Sequence, residues 1–77
     1  MSRVENWAPG DQFRLLDYGS TEKTFRSQLL AMGMTLGAII RVVRIAPLGN
    51  PIQIDLRGVM LALQREDLVA MHWKKIE

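Results

Sequence analysis

The chain has 77 residues, enough for one domain over positions 1–77 with a modest core, since a chain of this size buries only about 60% of its unfolded surface. It has no cysteine, which excludes disulfides and thiolate metal sites and is in keeping with a reducing cytosol, so the 48% of apolar residues must hold the fold. Ten basic and eight acidic residues leave a net charge of +2, too small to point by itself to nucleic acid.

The N-terminal stretch MSRVENWAPGD has no apolar core of the kind a signal segment needs. Pro9-Gly10 marks a turn. Gln12 to Tyr18 then reads as a strand, with Phe13 and Leu15 facing one side and Arg14 and Leu16 the other. Gly19-Ser20 ends it. Glu22 to Met32 is the one good helix. Ser20 or Thr21 is the expected cap, Glu22 suits the positive end of the dipole, and Phe25, Leu29 and Met32 form an apolar stripe. Gly33 closes the helix in the left-handed conformation and Gly37 marks the next turn. Leu29 to Ile40 holds a single polar residue, Thr35, with Gly33 and Gly37 at GxxxG spacing. A spanning helix needs about 20 apolar residues and this run is far shorter, so direct membrane insertion is not expected.

Ala38 to Ala46 is rich in β-branched residues and reads as a long strand. Ile40 and Val42 are expected to face the core, with Ile39, Val43 and Ile45 sharing the face of Arg41. Such a half-apolar outer face calls for cover by another element or by a partner. Pro47 to Pro51 is a turn, with two prolines fixing φ around Gly49-Asn50. Ile52, Ile54 and Leu56 then alternate with Gln53, Asp55 and Arg57, the cleanest period-two pattern in the chain. Gly58 permits a bulge or tight bend, and Val59 to Gln64 returns as a strand with Val59, Leu61 and Leu63 on one face. Arg65 to Ala70 has room for one helical turn, and Met71 to Ile76 closes as a strand in which Met71 and Trp73 alternate around His72. The predicted architecture is mainly β: about five strands and one inserted helix, curled into a small SH3-like barrel whose closure removes exposed edges.

Catalytic and metal signals are missing. There is one histidine, His72, and Asp11, Asp17, Asp55, Glu66, Asp67 and Glu77 are scattered, so no metal site is expected. No GxSxG elbow and no GxxxxGK[ST] loop occurs, and the interior of a barrel this small is filled, which leaves no cleft for acid–base work. No catalytic residue, no cofactor and no enzyme activity are therefore expected. Nucleic-acid binding is not expected either, because Trp7, Phe13, Tyr18, Phe25 and Trp73 are not interleaved with arginines along one strand.

The positive signal is apolar. Leu30, Met32, Met34 and Leu36 surround two glycines at the helix exit, and Met-rich, glycine-flanked surfaces adapt to a protein partner. Between positions 22 and 65 the chain is mildly basic: Lys23, Arg26, Arg41, Arg44, Arg57 and Arg65 face only Glu22 and Asp55, which suits an acidic protein surface, a phosphate-bearing ligand, or no partner at all if the arginines are simply scattered and solvated.

Leu30, Met32-Gly33-Met34 and Gly37 are followed by Val42, by Ala46-Pro47-Leu48-Gly49-Asn50-Pro51-Ile52, by Ile54 and Gly58, and by Leu61-Ala62-Leu63. In this order and spacing the chain resembles the ferrous iron transport protein A (FeoA) family over roughly Gly10 to Trp73. That family commonly carries Asp where Asn50 stands, and similar modules occur as C-terminal domains of metal-dependent repressors; this chain carries no DNA-binding domain beside it, which favours the stand-alone protein. The resemblance implies a cytoplasmic accessory protein of bacterial ferrous iron uptake, working through protein–protein interaction with the cytosolic part of the FeoB membrane permease. On that reading the contact residues are Leu30, Met32, Met34 and Leu36 at the helix exit and Pro47, Leu48 and Asn50 at the hairpin tip, with Arg44 and Arg57 adding charge complementarity. Two alternatives stay open. One is a GTPase-activating role in which Arg41, Arg44, Arg57 or Arg65 acts in trans on the permease's GTP-binding domain. The other is iron sensing through transition-metal binding at His72 or a carboxylate. Weak homo-oligomerisation is also left open.

Overall fold

Period-two alternation decides which way the sheet turns. A computed structural model describes residues 4–77. It contains β1 (Gln12–Asp17), α1 (Lys23–Ala31), β2 (Ile39–Ile45), β3 (Ile52–Leu56), β4 (Val59–Leu63), α2 (Arg65–Val69) and β5 (His72–Ile76), after a 3-10 turn at Val4–Asn6. The five strands form one antiparallel sheet in the order β4-β3-β2-β1-β5. Phe13 and Leu15 of β1, Ile40 and Val42 of β2, and Ile52, Ile54 and Leu56 of β3 all point to its concave side and are buried. Trp73 of β5 and Leu29 of α1 complete that core.

The fold is mainly β and SH3-like, as expected, but strand pairing does not close it. Among the described residues β4 and β5 remain edge strands. The chain crosses from one to the other through α2, which buries Leu68 against the core. The Trp73 indole Nε1 donates to the Leu68 carbonyl at 3.0 Å. This helical turn packs against the core between the two edge strands and leaves both of them unpaired, where strand pairing was expected to close the barrel.

Two register shifts change which residues face inward. On β2, Val42 pairs with Ile54 but Arg44 pairs with Gln53, so Val43 is an extra residue. A bulge of this kind reverses the alternation beyond it. Ile45, expected on the outer face with Arg41, therefore packs against the core opposite Ile52. On β1 the register with β5 shifts between Leu15 and Asp17. Tyr18 then turns inward while Leu16 stays exposed.

The ends of α1 combine local and distant contacts. The N-cap is Glu22, whose carboxylate accepts from the Phe25 amide at 3.0 Å, and neither Ser20 nor Thr21 fills that place. Thr21 is buried, and its hydroxyl donates to the Tyr18 carbonyl at 2.6 Å. Gly33, at φ +99, stops the helix where expected.

The bend between β3 and β4 is a two-residue turn, Arg57-Gly58, with positive φ at both positions (51° and 88°). That conformation matches the right-handed twist of a tight hairpin. The Asn50-Pro51 bond in the longer turn is cis. At the N-terminus, Trp7 is buried, stacks on Phe13 at 3.8 Å between ring centroids, and meets Trp73 edge-on.

Candidate partner interface

The helix exit is built from the inside out. Beyond Gly33 the chain reverses, and the Met34 amide donates to the Leu29 carbonyl at 3.0 Å. The Tyr18 hydroxyl donates to the Met34 carbonyl. These two bonds pull Met34 into the core, where it is 0% exposed. Met34, expected among the exposed contact residues, is thus buried instead. The chain reversal points it opposite to its neighbours.

Those neighbours do face outward. Leu30 is 43% exposed, Met32 48% and Leu36 63%. Met32, expected on the buried stripe of α1, lies past the last helical residue. Leu30 and Leu36 line an open groove with Asp17, Tyr18, Gly19 and Arg26. The Arg26 guanidinium lies 5.9 Å from the centre of the Tyr18 ring, within cation–π range. Burial pushes the Tyr18 hydroxyl above its ordinary pKa, and the Arg26 charge partly offsets this.

At the groove's edge the His72 Nδ1 and the Asp17 Oδ1 are 2.7 Å apart, and the Gly19 amide donates to the same oxygen at 2.8 Å. The hydrogen bond from His72 is the main reason the Asp17 carboxyl sits below its usual range. His72 is thus paired with a carboxylate on the neighbouring strand. No group of three or more His, Asp or Glu side chains able to hold a metal ion occurs among the described residues. Nor is any described helix long and apolar enough to cross a membrane.

The second group of expected contacts lies elsewhere. Leu48, at the tip of the β2–β3 turn, is 97% exposed, and Pro47 beside it is exposed too. Asn50 is exposed, but its carboxamide oxygen accepts from the Arg65 amide at 2.6 Å, which ties the tip to the start of α2. An aspartate would accept equally well. Arg44 lines an open groove with Ala46, Pro51, Gln53 and Ala62 on the outer face of the sheet. Arg57 is at the other end of β3, beside Gln12, Ile39 and the Arg41–Asp55 pair, whose closest atoms are 3.4 Å apart. A five-residue strand spans about 16 Å, so the tip and Arg57 belong to different ends of the molecule.

The expected contacts thus divide into a helix-exit group (Leu30, Met32, Leu36) and a tip group (Pro47, Leu48, Asn50), with Arg44 and Arg57 apart from each other. The sequence reading did not place Tyr18 and Arg26 in the groove. Arg26 was legible as an exposed position of α1. Tyr18 was not, because the bulge that turns it inward carries no glycine or proline to announce it.

The family model described as the FeoA domain matches residues 3–72. The fold is similar to a solution structure of the FeoA protein from Chlorobium tepidum, with 25% identity, a TM-score of 0.87, and coverage of 99% of this chain and 71% of that one. A crystal structure described as an iron uptake regulatory protein (FeoA) is 26% identical, with a TM-score of 0.75 over 96% of this chain and 95% of the other. A solution structure of a Pseudomonas aeruginosa protein is 38% identical, with a TM-score of 0.68 and coverage of 90% and 93%.

Proposed function

The chain belongs to the FeoA family, and from that premise we propose that it is a cytoplasmic, non-enzymatic accessory module of ferrous iron uptake that docks on the cytosolic part of a FeoB-type permease. The observation that carries this reading is the apolar helix exit. Leu30 in the last turn of α1, Met32 at its C-cap and Leu36 in the loop beyond stand exposed, and that loop is held from beneath by the Tyr18–Met34 hydrogen bond. Rigid, exposed apolar side chains beside a cationic residue such as Arg26 form a surface that desolvates at little cost in chain entropy and selects an acidic rim. Docking alters the permease only if one of its states is bound more tightly than another.

The test is a titration of this chain against the purified cytosolic part of the permease, followed calorimetrically, with GTP hydrolysis measured in parallel. Saturable binding that Leu36→Asp and Leu30→Asp each weaken at least about tenfold supports the reading. Absence of binding by the wild-type chain, or binding indifferent to both substitutions, overturns it. The parallel hydrolysis rate separates docking alone from activation of the GTPase.

A further inference from the structure

The two edges of the sheet are not alike. β5 carries Lys74 and Lys75, the kind of charge that blunts an edge against strand addition. β4 reads Val59-Met60-Leu61-Ala62-Leu63, with no charge, no proline and no glycine. In a hairpin closed by a two-residue turn, the flanking residues exchange both main-chain hydrogen bonds. Here those residues are Leu56 and Val59, and the pairing continues through Ile54–Leu61 and Ile52–Leu63. The amides and carbonyls of Val59, Leu61 and Leu63 therefore point at β3, and those of Met60 and Ala62 point away from the sheet. Neither Met60 nor Ala62 makes a hydrogen bond to any other element among the described residues. Both are exposed.

Charge decides what this edge suits. Arg57 precedes β4 and Arg65 follows it. An antiparallel pairing of two copies about Leu61 sets Arg57 of one chain towards Arg65 of the other, like against like. A pair of five-residue strands also covers far less than the roughly 1,200 Å² that stable assemblies bury. A segment carrying carboxylates has the opposite fit. Ala62 is the smallest side chain of β4 and leaves open the outer groove that runs past Gln53 to Arg44. Arg44 has no acidic partner among the described residues.

We propose that the free edge of β4 accepts an extended, acidic–apolar segment of a partner polypeptide as a sixth strand, with Met60 and Ala62 supplying the main-chain hydrogen bonds and Arg44 receiving a carboxylate. This surface is separate from the helix exit and does not rest on its assignment. Main-chain bonds give such strand addition its affinity, and the side chains on one face give its selectivity.

The test uses the full, isotope-labelled chain and a synthetic nine-residue peptide of alternating valine and glutamate, with its lysine counterpart as control. The expected result is saturable binding of the glutamate peptide with amide exchange slowed about tenfold or more at Met60 and Ala62 and unchanged at Leu61. The lysine peptide should bind at least about tenfold more weakly. Ala62→Pro removes one outward amide and leaves the β3–β4 ladder its bonds, so a natively folded variant should lose binding. Arg44→Ala should weaken it severalfold while leaving the Met60 and Ala62 signature in place. The proposal is overturned by absence of binding at millimolar peptide, by equal affinity for both peptides, or by perturbation confined to other surfaces. Protection of Met60 and Ala62 on concentrating the chain alone also overturns it, by assigning the edge to a second copy. Leu36→Asp should leave peptide binding intact, so failure at this edge and failure at the helix exit are distinguishable.

Discussion

The Tyr18 hydroxyl, at the end of β1, donates to the main-chain carbonyl of Met34, beyond the end of α1. This one bond joins the strand before the helix to the loop after it. It holds Met34 inward and, by the same turn of the chain, Leu36 outward.

Tyr18→Phe removes the donor and leaves a buried carbonyl unpaired. The expected loss is about 1–3 kcal/mol of unfolding free energy, with faster amide exchange confined to residues 32–37. Burial raises the Tyr18 pKa, so its contribution is intact below the ordinary tyrosine value of about 10 and is lost as pH rises through the higher folded value. Denaturant unfolding combined with a phenolate absorbance titration checks both points.

Met34 and its exposed neighbours should separate cleanly by substitution. Met34→Ala leaves a cavity in a fully buried site and should cost about 2–5 kcal/mol. Met32→Asp, Leu36→Asp and Leu48→Ser should each stay within about 0.5 kcal/mol of wild type in the same assay. Equal destabilisation by Met34→Ala and Leu36→Asp would contradict the placement of the helix exit.

Acid should act through two lowered carboxylates. Asp17 is lowered chiefly by His72, and Glu22 chiefly by the amide of Thr24 and then that of Phe25 at the start of α1. Each is lower in the folded chain than in the unfolded one. Its stabilisation is therefore present above the ordinary carboxylate range and is lost as pH falls through the folded value, below about pH 4. Asp17→Asn and Glu22→Gln should each flatten the acid limb of a stability–pH curve while leaving its slope near neutrality unchanged.

Arg57 should respond in the opposite direction to most substitutions. It is the one non-glycine residue with positive φ among those described. Its Cβ crowds the following carbonyl oxygen in that conformation, and Asn tolerates it better because its short polar side chain hydrogen-bonds locally. Arg57→Asn should raise the unfolding free energy by about 0.5–1 kcal/mol, and Gly58→Val should lower it by more than that. Guanidinium unfolding of both variants provides the measurement.

Much of this fold was legible because the signals are local. Ile52, Ile54 and Leu56 alternate without interruption, so β3 and its inward face follow directly. Gly33 ends α1, and Pro47 to Pro51 turns the chain, at the positions where backbone chemistry demands it. The exposed apolar residues of the helix exit were legible as a group, because they flank the helix stop at Gly33. Met34 was the exception, since its burial depends on Tyr18, a residue on another element.

Taken alone, the chain's residue order determined the five strands, the helix inserted after the first of them and their order, because period-two patterning and turn chemistry act over a few neighbouring residues. It did not determine which face each residue takes beyond a bulge. The extra residues near Leu16 and at Val43 send Tyr18 and Ile45 inward, and such bulges arise from pairing with strands remote in the chain. Nor did it reveal that Trp7 closes over Phe13, that Asp17 meets His72, or that α2 leaves the edge of β4 open. Those relationships exist only once distant segments are brought together, because the energy that selects them is shared between residues with no local pattern in common.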